Sequence, residues 1–484
     1  MEEMLKQLLL QMKELTELLQ QQSEQLSTMR ETIAAKDAKI AALTARIEKL
    51  THKKNSGNSS KPSSSERLGK PAPKSLRKKN GREPGGQAGH KGTGMKIDRK
   101  PDKTISHHPA QCMGCPHAGQ CQYKVSGTRY EYEVIVKTEL IAHQVLSCGC
   151  CKLSGERVTG KFPEYVTDTK QYGPGIAALS CALLSVGYMS ADRVQKLLGS
   201  LGIPISLGTV QGMLGKTASR VETTVGQIKS RIEQLPVAHF DETGLRVVGK
   251  LHWLHCACNE EYRFYSVQEK RGSEAMDAIG ILPNFQGVAV TDFWGPYRKH
   301  DSVLHAMCCQ HLERELVYAE ESGNQMWAKL LRELLQTMCH RRNGLQAEGY
   351  ASFPEAELAE YLARYDTLVA EGIEVNPIPE RQPGKRGRLA KGKIRSLLDR
   401  FADFKEDILR FAHDWQVPYT NNAAEQAIRF ARVKEKVSGC FRTKTGAAHF
   451  ASVLSYISTA ALHGVSSFDA LLAAARGEAF SVIF

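Results

Sequence analysis

Two short apolar runs in this 484-residue chain each end in an aspartate: Pro236 to Phe240 leads into Asp241, and Val288 to Thr291 leads into Asp292. An ionised carboxylate at the end of a buried strand is costly unless it is paired or binds a metal. Two of them on neighbouring strands repel by roughly 4 kcal/mol at about 4 Å and an effective dielectric of about 20, and a divalent cation is the simplest thing that removes the repulsion. A third acid, Glu425, lies in Asn421-Asn-Ala-Ala-Glu425. The asparagines predict a helix start there, with Glu425 in its first turn and Arg429 one turn later on the same face. A lone aspartate reads as a turn cap or an arginine partner. Three carboxylates, with Lys434, Lys436, Arg442 and Lys444 close behind, point instead to metal-dependent chemistry on a phosphodiester.

The intervening sequence must bring these acids together. Leu245 to Val248, Leu251 to Cys258 and Tyr262 to Val267 are β-branched and aromatic runs, separated by the turn signals Val248-Gly-Lys250 and Asn259-Glu-Glu261. This pattern predicts a three-strand antiparallel meander. A helix over Ser273 to Leu282 then crosses over, which sets the two aspartate-ending strands side by side and parallel. Val303 to Cys309 predicts a further strand, and a helical region from Gln310 to about Trp415 fills most of the 133 residues between Asp292 and Glu425. Within it, Arg381 to Arg395 holds seven Lys or Arg and no acid, either a DNA contact or a solvated loop. Cys308, Cys309 and His311 place three soft ligands around one turn, a pattern that core and surface neighbours produce more often than a metal does. Upstream, residues 172–234 read as all-helical. Ser190 opens Ala191 to Leu198, Gly199 to Ile205 turns, and Ser206 caps Leu207 to Ala218. That order fits a helix-turn-helix able to lay Thr209, Gln211 or Lys216 in a groove, and equally an ordinary helix pair.

The N-terminal part is built differently. From Leu5 to Leu50, steps of three and four run through Leu8, Met12, Leu15, Leu19, Gln22, Leu26, Met29, Ile33, Lys36, Ile40, Leu43 and Ile47, with only Gln22 and Lys36 polar. Such a repeat predicts a coiled coil about 70 Å long, and hence an oligomer or a helical hairpin. The Gly-, Pro-, Ser- and Lys-rich stretch that follows reads as a flexible tether spanning roughly 40 Å. Residues 51–103 hold 15 Lys or Arg against 4 Asp or Glu, leaving +11 of the chain's net +13. A localised charge of that size implies a polyanion, nucleic acid before membrane, because no amphipathic apolar face accompanies it. Next, Cys112-Met-Gly-Cys115 and Cys148-Gly-Cys-Cys151 flank stretches, Tyr130 to Val136 and Glu139 to Leu146, that alternate like a hairpin. This predicts a zinc ribbon with Cys112, Cys115, Cys148 and Cys151 as ligands to a structural Zn²⁺; Cys121, Cys150, His107, His108 and His117 are the substitutes. Thirteen cysteines, clustered and odd in number, suit a reducing cytoplasm better than a disulfide framework. The longest apolar stretch, Ile176 to Met189, is 14 residues, too short for a membrane span.

Taken in order, these motifs resemble the insertion sequence 66 family of DDE transposases over nearly the whole chain. Asn-Ser-Gly-Asn-Ser-Ser-Lys-Pro at 55–62 and Gly-Gly-Gln-Ala-Gly-His-Lys-Gly at 85–92 look like its linker, the Cys knuckles like its zinc-binding domain, and the heptads like its leucine zipper. His239-Phe-Asp-Glu-Thr-Gly244, Thr291-Asp-Phe-Trp-Gly-Pro-Tyr297, Cys309-Gln-His-Leu-Glu-Arg-Glu-Leu316 and Thr420-Asn-Asn-Ala-Ala-Glu425 through Thr443 are similar to its catalytic region. Gln426 and Cys440 depart from it, standing where the family often has Arg and Gly. The resemblance implies a ribonuclease H-like core and a triad at Asp241, Asp292 and Glu425 holding two Mg²⁺, or Mn²⁺.

The fold expected is multidomain α+β: a coiled coil over 1–52, a basic linker over 53–106, a zinc ribbon over 107–165 and a helical helix-turn-helix-like domain over 166–234. The ribonuclease H-like α/β core follows over 235–310, then a helical insertion over 311–415, the core helix carrying Glu425 over 416–445, and a helical C-terminal region over 446–484. Expected DNA contacts are Lys78, Lys79, Arg82, Lys216, Arg386, Arg388, Arg429, Lys434, Lys436 and Arg442. Expected partners are double-stranded DNA at element ends and target, further copies of the chain, and accessory proteins of the same element, as the family suggests. The nucleoid is the expected location. The rival functions are a metal-dependent nuclease without strand transfer and a regulator that only binds DNA.

Overall fold

The computed structural model describes residues 20–22, 24–34, 36–37, 39, 97, 100–112, 115–116, 120–131, 137–148, 153, 157–323, 325–378 and 391–481. It divides into two compact units, one of residues 1–74, 163–194 and 206–484 and the other of 75–162 with 195–205. The described residues between 20 and 39 are helical, and Leu26, Met29 and Ile33 of the expected seam are exposed there. The remainder of the heptad stretch, nearly all of the tether, and Cys150, Cys151 and His117 lie outside the described residues.

In the smaller unit, β1 (Ser147–Cys148) and β2 (Val158–Thr159) form a short antiparallel pair. The expected hairpin differs: residues 139–146 carry no strand, and the pairing starts only at Ser147. Leu140, Ile141 and Leu146 of that stretch are exposed, so its alternation has no buried face to align against, and the alternation alone does not fix a strand. Cys115 donates its N–H to the Cys112 carbonyl at 3.3 Å. The Tyr123 hydroxyl lies against Cys112 and Cys121 and is pushed up to about 12, chiefly by the Cys112 thiol.

The larger unit is built on a five-stranded sheet of order β5-β4-β3-β6-β7. Its strands are β3 (Val237–Val247), β4 (Lys250–Cys258), β5 (Arg263–Gln268), β6 (Val288–Thr291) and β7 (Leu304–Met307). The first three form the expected antiparallel meander. Val248 and Gly249, both at positive φ, make the tight β3–β4 turn that suits a hairpin's twist. The crossover helix breaks in two, because Gly280 takes a left-handed conformation between α5 (Ser273–Ile279) and α6 (Ile281–Asn284). It still delivers β6 parallel to β3, and β7 parallel to β6. β6 is buried at all four residues, as expected of a parallel strand covered on both faces.

Gly287 makes the approach of β6 to β3 feasible. A Cβ there would lie 2.2 Å from the Leu235 carbonyl oxygen and 2.5 Å from that of Pro236, both backbone atoms that cannot swing aside. Gly287→Ala is expected to cost about 3 kcal/mol, the upper end for an overpacked site, in a urea titration of the metal-free protein. A loss below about 0.5 kcal/mol, the usual effect of a neutral surface change, would show that the strand shifts freely.

Helices surround the sheet. α1 (Pro174–Ser185), α2 (Ala191–Ser200), α3 (Leu207–Arg220) and α4 (Glu222–Glu233) precede it. Ser206 caps α3 as expected, accepting the Thr209 N–H. Val210, Met213, Thr217 and Ala218 of α3 are buried while Gln211 and Lys216 are exposed. Between β7 and Glu425 stand α7 (Cys309–Gly323), α8 (Met326–Ala347), α9 (Glu355–Val375), α10 (Lys393–Asp403) and α11 (Lys405–His413). They share a core containing Trp327, Leu331, Leu335, Tyr365, Leu398 and Phe401. The chain closes with α12 (Asn422–Ile428), α13 (Phe430–Ser438), α14 (Lys444–Leu462) and α15 (Ser467–Arg476). α14 covers the edge of β5: the Ser455 and Thr459 hydroxyls accept the N–H groups of Tyr265 and Arg263, which satisfies donors that an open sheet edge would leave exposed. Among the described residues no helix is long and apolar enough to cross a membrane.

Candidate carboxylate site

Asp241 was expected at a strand end and instead sits in the middle of β3, opposite Cys256 of β4. β4 pairs with β3 along nearly all of its length, so pairing carries the strand past the acid, whereas β6 stops at Thr291 and releases Asp292. His239 is in register with Val290, two residues before each aspartate, so the two acids leave the paired region level with each other. The Asp241 Oδ1 accepts the Glu242 N–H at 2.8 Å, and the Asp292 Oδ1 accepts the Trp294 N–H at 3.0 Å. Glu425 falls in the first turn of α12 as expected.

The three acids lie near enough for their charges to act on one another. Burial holds Asp241 well above the usual carboxylate range, and the charges of Glu242, Asp292 and Glu425 push it further. Asp292 is raised by burial and by Glu315, against the pull of the Trp294 N–H and Arg271. Glu425 is raised by burial and by Asp292, while Arg314 and Arg429 draw it down. Its Oε1 is buried without a hydrogen-bond partner. Such a set is destabilised by its own charge, a repulsion that a bound cation would relieve.

Asn421 fastens α12 to the sheet. It does not cap the helix with its side chain; the amide instead donates to the Phe240 carbonyl at 2.8 Å, and its Oδ1 meets the His239 Nδ1 at 2.8 Å. Its N–H reaches the Cys308 sulfur at 3.2 Å. The residue thus ties β3, the end of β7 and the helix of Glu425 together. Asn421→Ala leaves a buried carbonyl and imidazole unpaired, at about 1–3 kcal/mol each. We expect a loss of about 3 kcal/mol in denaturant unfolding, and a loss under about 0.5 kcal/mol would refute the staple.

Glu242 was not anticipated. Strand alternation puts it on the face of Ala238 and Phe240, inside the core, where it is 2% exposed. Burial first, then Asp292, push it up to about 7. Arg271 donates to its Oε1 at 2.7 Å and the Tyr297 hydroxyl donates to its Oε2. Arg271 itself stacks 3.9 Å from the Trp294 ring centre and 4.9 Å from that of Trp253. The signal available in the sequence was the second acid of Asp241-Glu242, at a position alternation assigns to the core.

The expected DNA contacts divide. Lys216, Arg429, Lys436 and Arg442 are exposed, while Lys78, Lys79, Arg82, Arg386 and Arg388 lie outside the described residues. Lys434 is a correction: it is buried, with its ammonium 3.6 Å from the Phe441 ring centre and bonded to Ser438 and the Gly439 carbonyl. Burial brings it down to about 8, and it serves the end of α13 and not a DNA phosphate.

Comparison with curated proteins finds no match. A family model described as a family of unknown function (DUF6444) matches residues 4–96. The model described as Transposase IS66 family matches residues 169–449, which include the whole five-stranded sheet, the helices inserted after it, and Asp241, Asp292 and Glu425. The chain belongs to the transposase IS66 family.

Proposed function

We propose that this transposase is of the DDE type: it cuts at the ends of its element and joins the freed 3′-OH to target DNA. The observation that carries the reading is that Asp292 and Glu425, carried on separate elements, lie near enough to raise the buried Asp241, and Asp292 to raise Glu425. The sheet supports it, since three antiparallel strands followed by two parallel ones is the order expected of a ribonuclease H-like core. When bound at these carboxylates, two Mg²⁺ ions, or Mn²⁺ in their place, supply a polarised nucleophile oxygen and neutralise charge on the leaving oxygen. The carboxylates hold and space that charge and are not themselves nucleophiles. Asn421 holds Glu425 against β3, and Arg271 neutralises Glu242 so that the core beneath the aspartates carries no unpaired charge. Exposed Lys216, Arg429, Lys436 and Arg442 supply phosphate contacts that position double-stranded DNA without reading its bases.

The remaining parts fit around this centre. Cys112, Cys115, Cys148 and Cys151 are the ligands proposed for a structural Zn²⁺, with Cys121, Cys150, His107, His108 and His117 the substitutes. The exposed Leu26, Met29 and Ile33 stripe pairs with other copies of the chain in a coiled coil. Accessory proteins of the same element complete the assembly on nucleoid DNA. Labelled terminal DNA, a target plasmid and Mg²⁺ in one gel assay test the reading. Joined product is expected; a cut product alone would make the protein a nuclease, and a shifted band alone a binding protein.

A further inference from the structure

The first turn of α7 adds donors of a different chemical kind to Glu425. Cys308, His311 and Glu425 each offer one ligand atom, and these atoms lie within 4.8 Å of one another, the only such group of three or more among the described residues. Two of them lack a hydrogen-bond partner: the His311 Nδ1 and the Glu425 Oε1 are both buried. His311 is 7% exposed. The two atoms stand 3.7 Å apart, too far for a hydrogen bond and close to the roughly 3.4 Å that separates two ligands held about 2.1 Å from one tetrahedral ion.

We propose that Cys308 Sγ, His311 Nδ1 and Glu425 Oε1 form a site for a transition-metal dication of the Zn²⁺ class, distinct in donor type from the all-oxygen position of the two aspartates. A sulfur, a nitrogen and an oxygen are the donors of a three-ligand zinc centre, and Mg²⁺ disfavours the first two. The assignment rests on the reading of Glu425 as a metal ligand. Binding through Oε1 leaves Oε2 for an ion shared with the aspartates, so the soft ion fixes the carboxylate that the oxygen site needs. Asn421 serves both, because its N–H meets the Cys308 sulfur while its side chain holds β3.

Co²⁺ is the probe, added to the metal-free full chain, with bound equivalents counted by equilibrium dialysis and sulfur-to-cobalt charge-transfer absorption recorded in the near ultraviolet. The cysteines of residues 112–151 bind Co²⁺ in every variant, so the readout is a difference. Wild type is expected to bind one more equivalent than Cys308→Ser or His311→Gln, and that equivalent carries charge-transfer absorption. Glu425→Gln should weaken it by at least about tenfold, the least that loss of even an outer partner costs. Asp292→Asn should retain the equivalent while losing Mg²⁺-dependent joining, which separates failure of this site from failure of the transposase reading. Equal stoichiometry and superimposable spectra in wild type, Cys308→Ser and His311→Gln, each with native circular dichroism, would overturn the proposal.

Discussion

Replacing Asp241 or Asp292 by Ala is expected to abolish Mg²⁺-dependent cutting and joining while terminal DNA is still bound. The loss should be at least about 10³-fold, because a metal centre supplies several kcal/mol of transition-state stabilisation and each 1.4 kcal/mol is about tenfold. Binding should survive because the exposed cations proposed as phosphate contacts lie outside the carboxylate group. The folded state should survive too. Asp241 is buried among Glu242, Asp292 and Glu425, all of which raise its proton affinity, so removing its charge relieves repulsion in the metal-free protein. The check is a paired measurement: strand-transfer rate, and the urea midpoint without metal. Joining retained in either variant would sink the triad assignment, and a lowered midpoint would sink the claim that these acids repel.

Arg271→Ala should cost about 3 kcal/mol of stability, as much as Asn421→Ala. Removing one partner of a buried ion pair costs about 3–5 kcal/mol, and the lower end applies because the Arg271 side chain is 29% exposed while that of Glu242 is 1%. The loss should depend on pH. Glu242 is raised in the fold to about 7 from an ordinary 4.5, chiefly by burial. Its contribution to stability is therefore fully present below about pH 4.5 and is lost as pH rises through about 7. Without Arg271 the folded-state value moves higher still. The penalty of Arg271→Ala should accordingly be small near pH 5, where Glu242 is neutral, and clearly larger near pH 8. Adding Glu242→Gln should recover most of it. Equal penalties at both pH values, or simple additivity in the double variant, would show that Arg271 acts by packing on Trp253 and Trp294 and not through charge.

The sheet was legible because its signals are local and periodic. Three β-branched runs with a tight turn at Val248-Gly249 specified the meander, and the crossover left β6 little choice but to lie parallel to β3. The helix start before Glu425 was legible for the same reason. What the sequence concealed depends on distance along the chain. Asn421 looked like a helix cap, and its bonds to His239 and Phe240 cross 182 and 181 residues. Cys308 and His311 looked like neighbours on one turn, and only the arrival of α12 makes them a ligand set with Glu425. Lys434 shows the opposite error: a cation in a basic segment turned inward, because Phe441 and Phe450 lie where its stem can pack.

The helices inserted between β7 and α12 place Glu425 so late that the order of synthesis matters. At about 5–20 residues per second, the 181 residues separating Phe240 from Asn421 take roughly 10 to 40 s to emerge from a ribosome. During that interval β3, β6 and β7 can assemble with both aspartates in place, yet the third acid does not exist. A nascent chain that has completed the five strands thus still lacks one of the three carboxylates of the proposed metal site, along with α14, whose Ser455 and Thr459 cover the edge of β5.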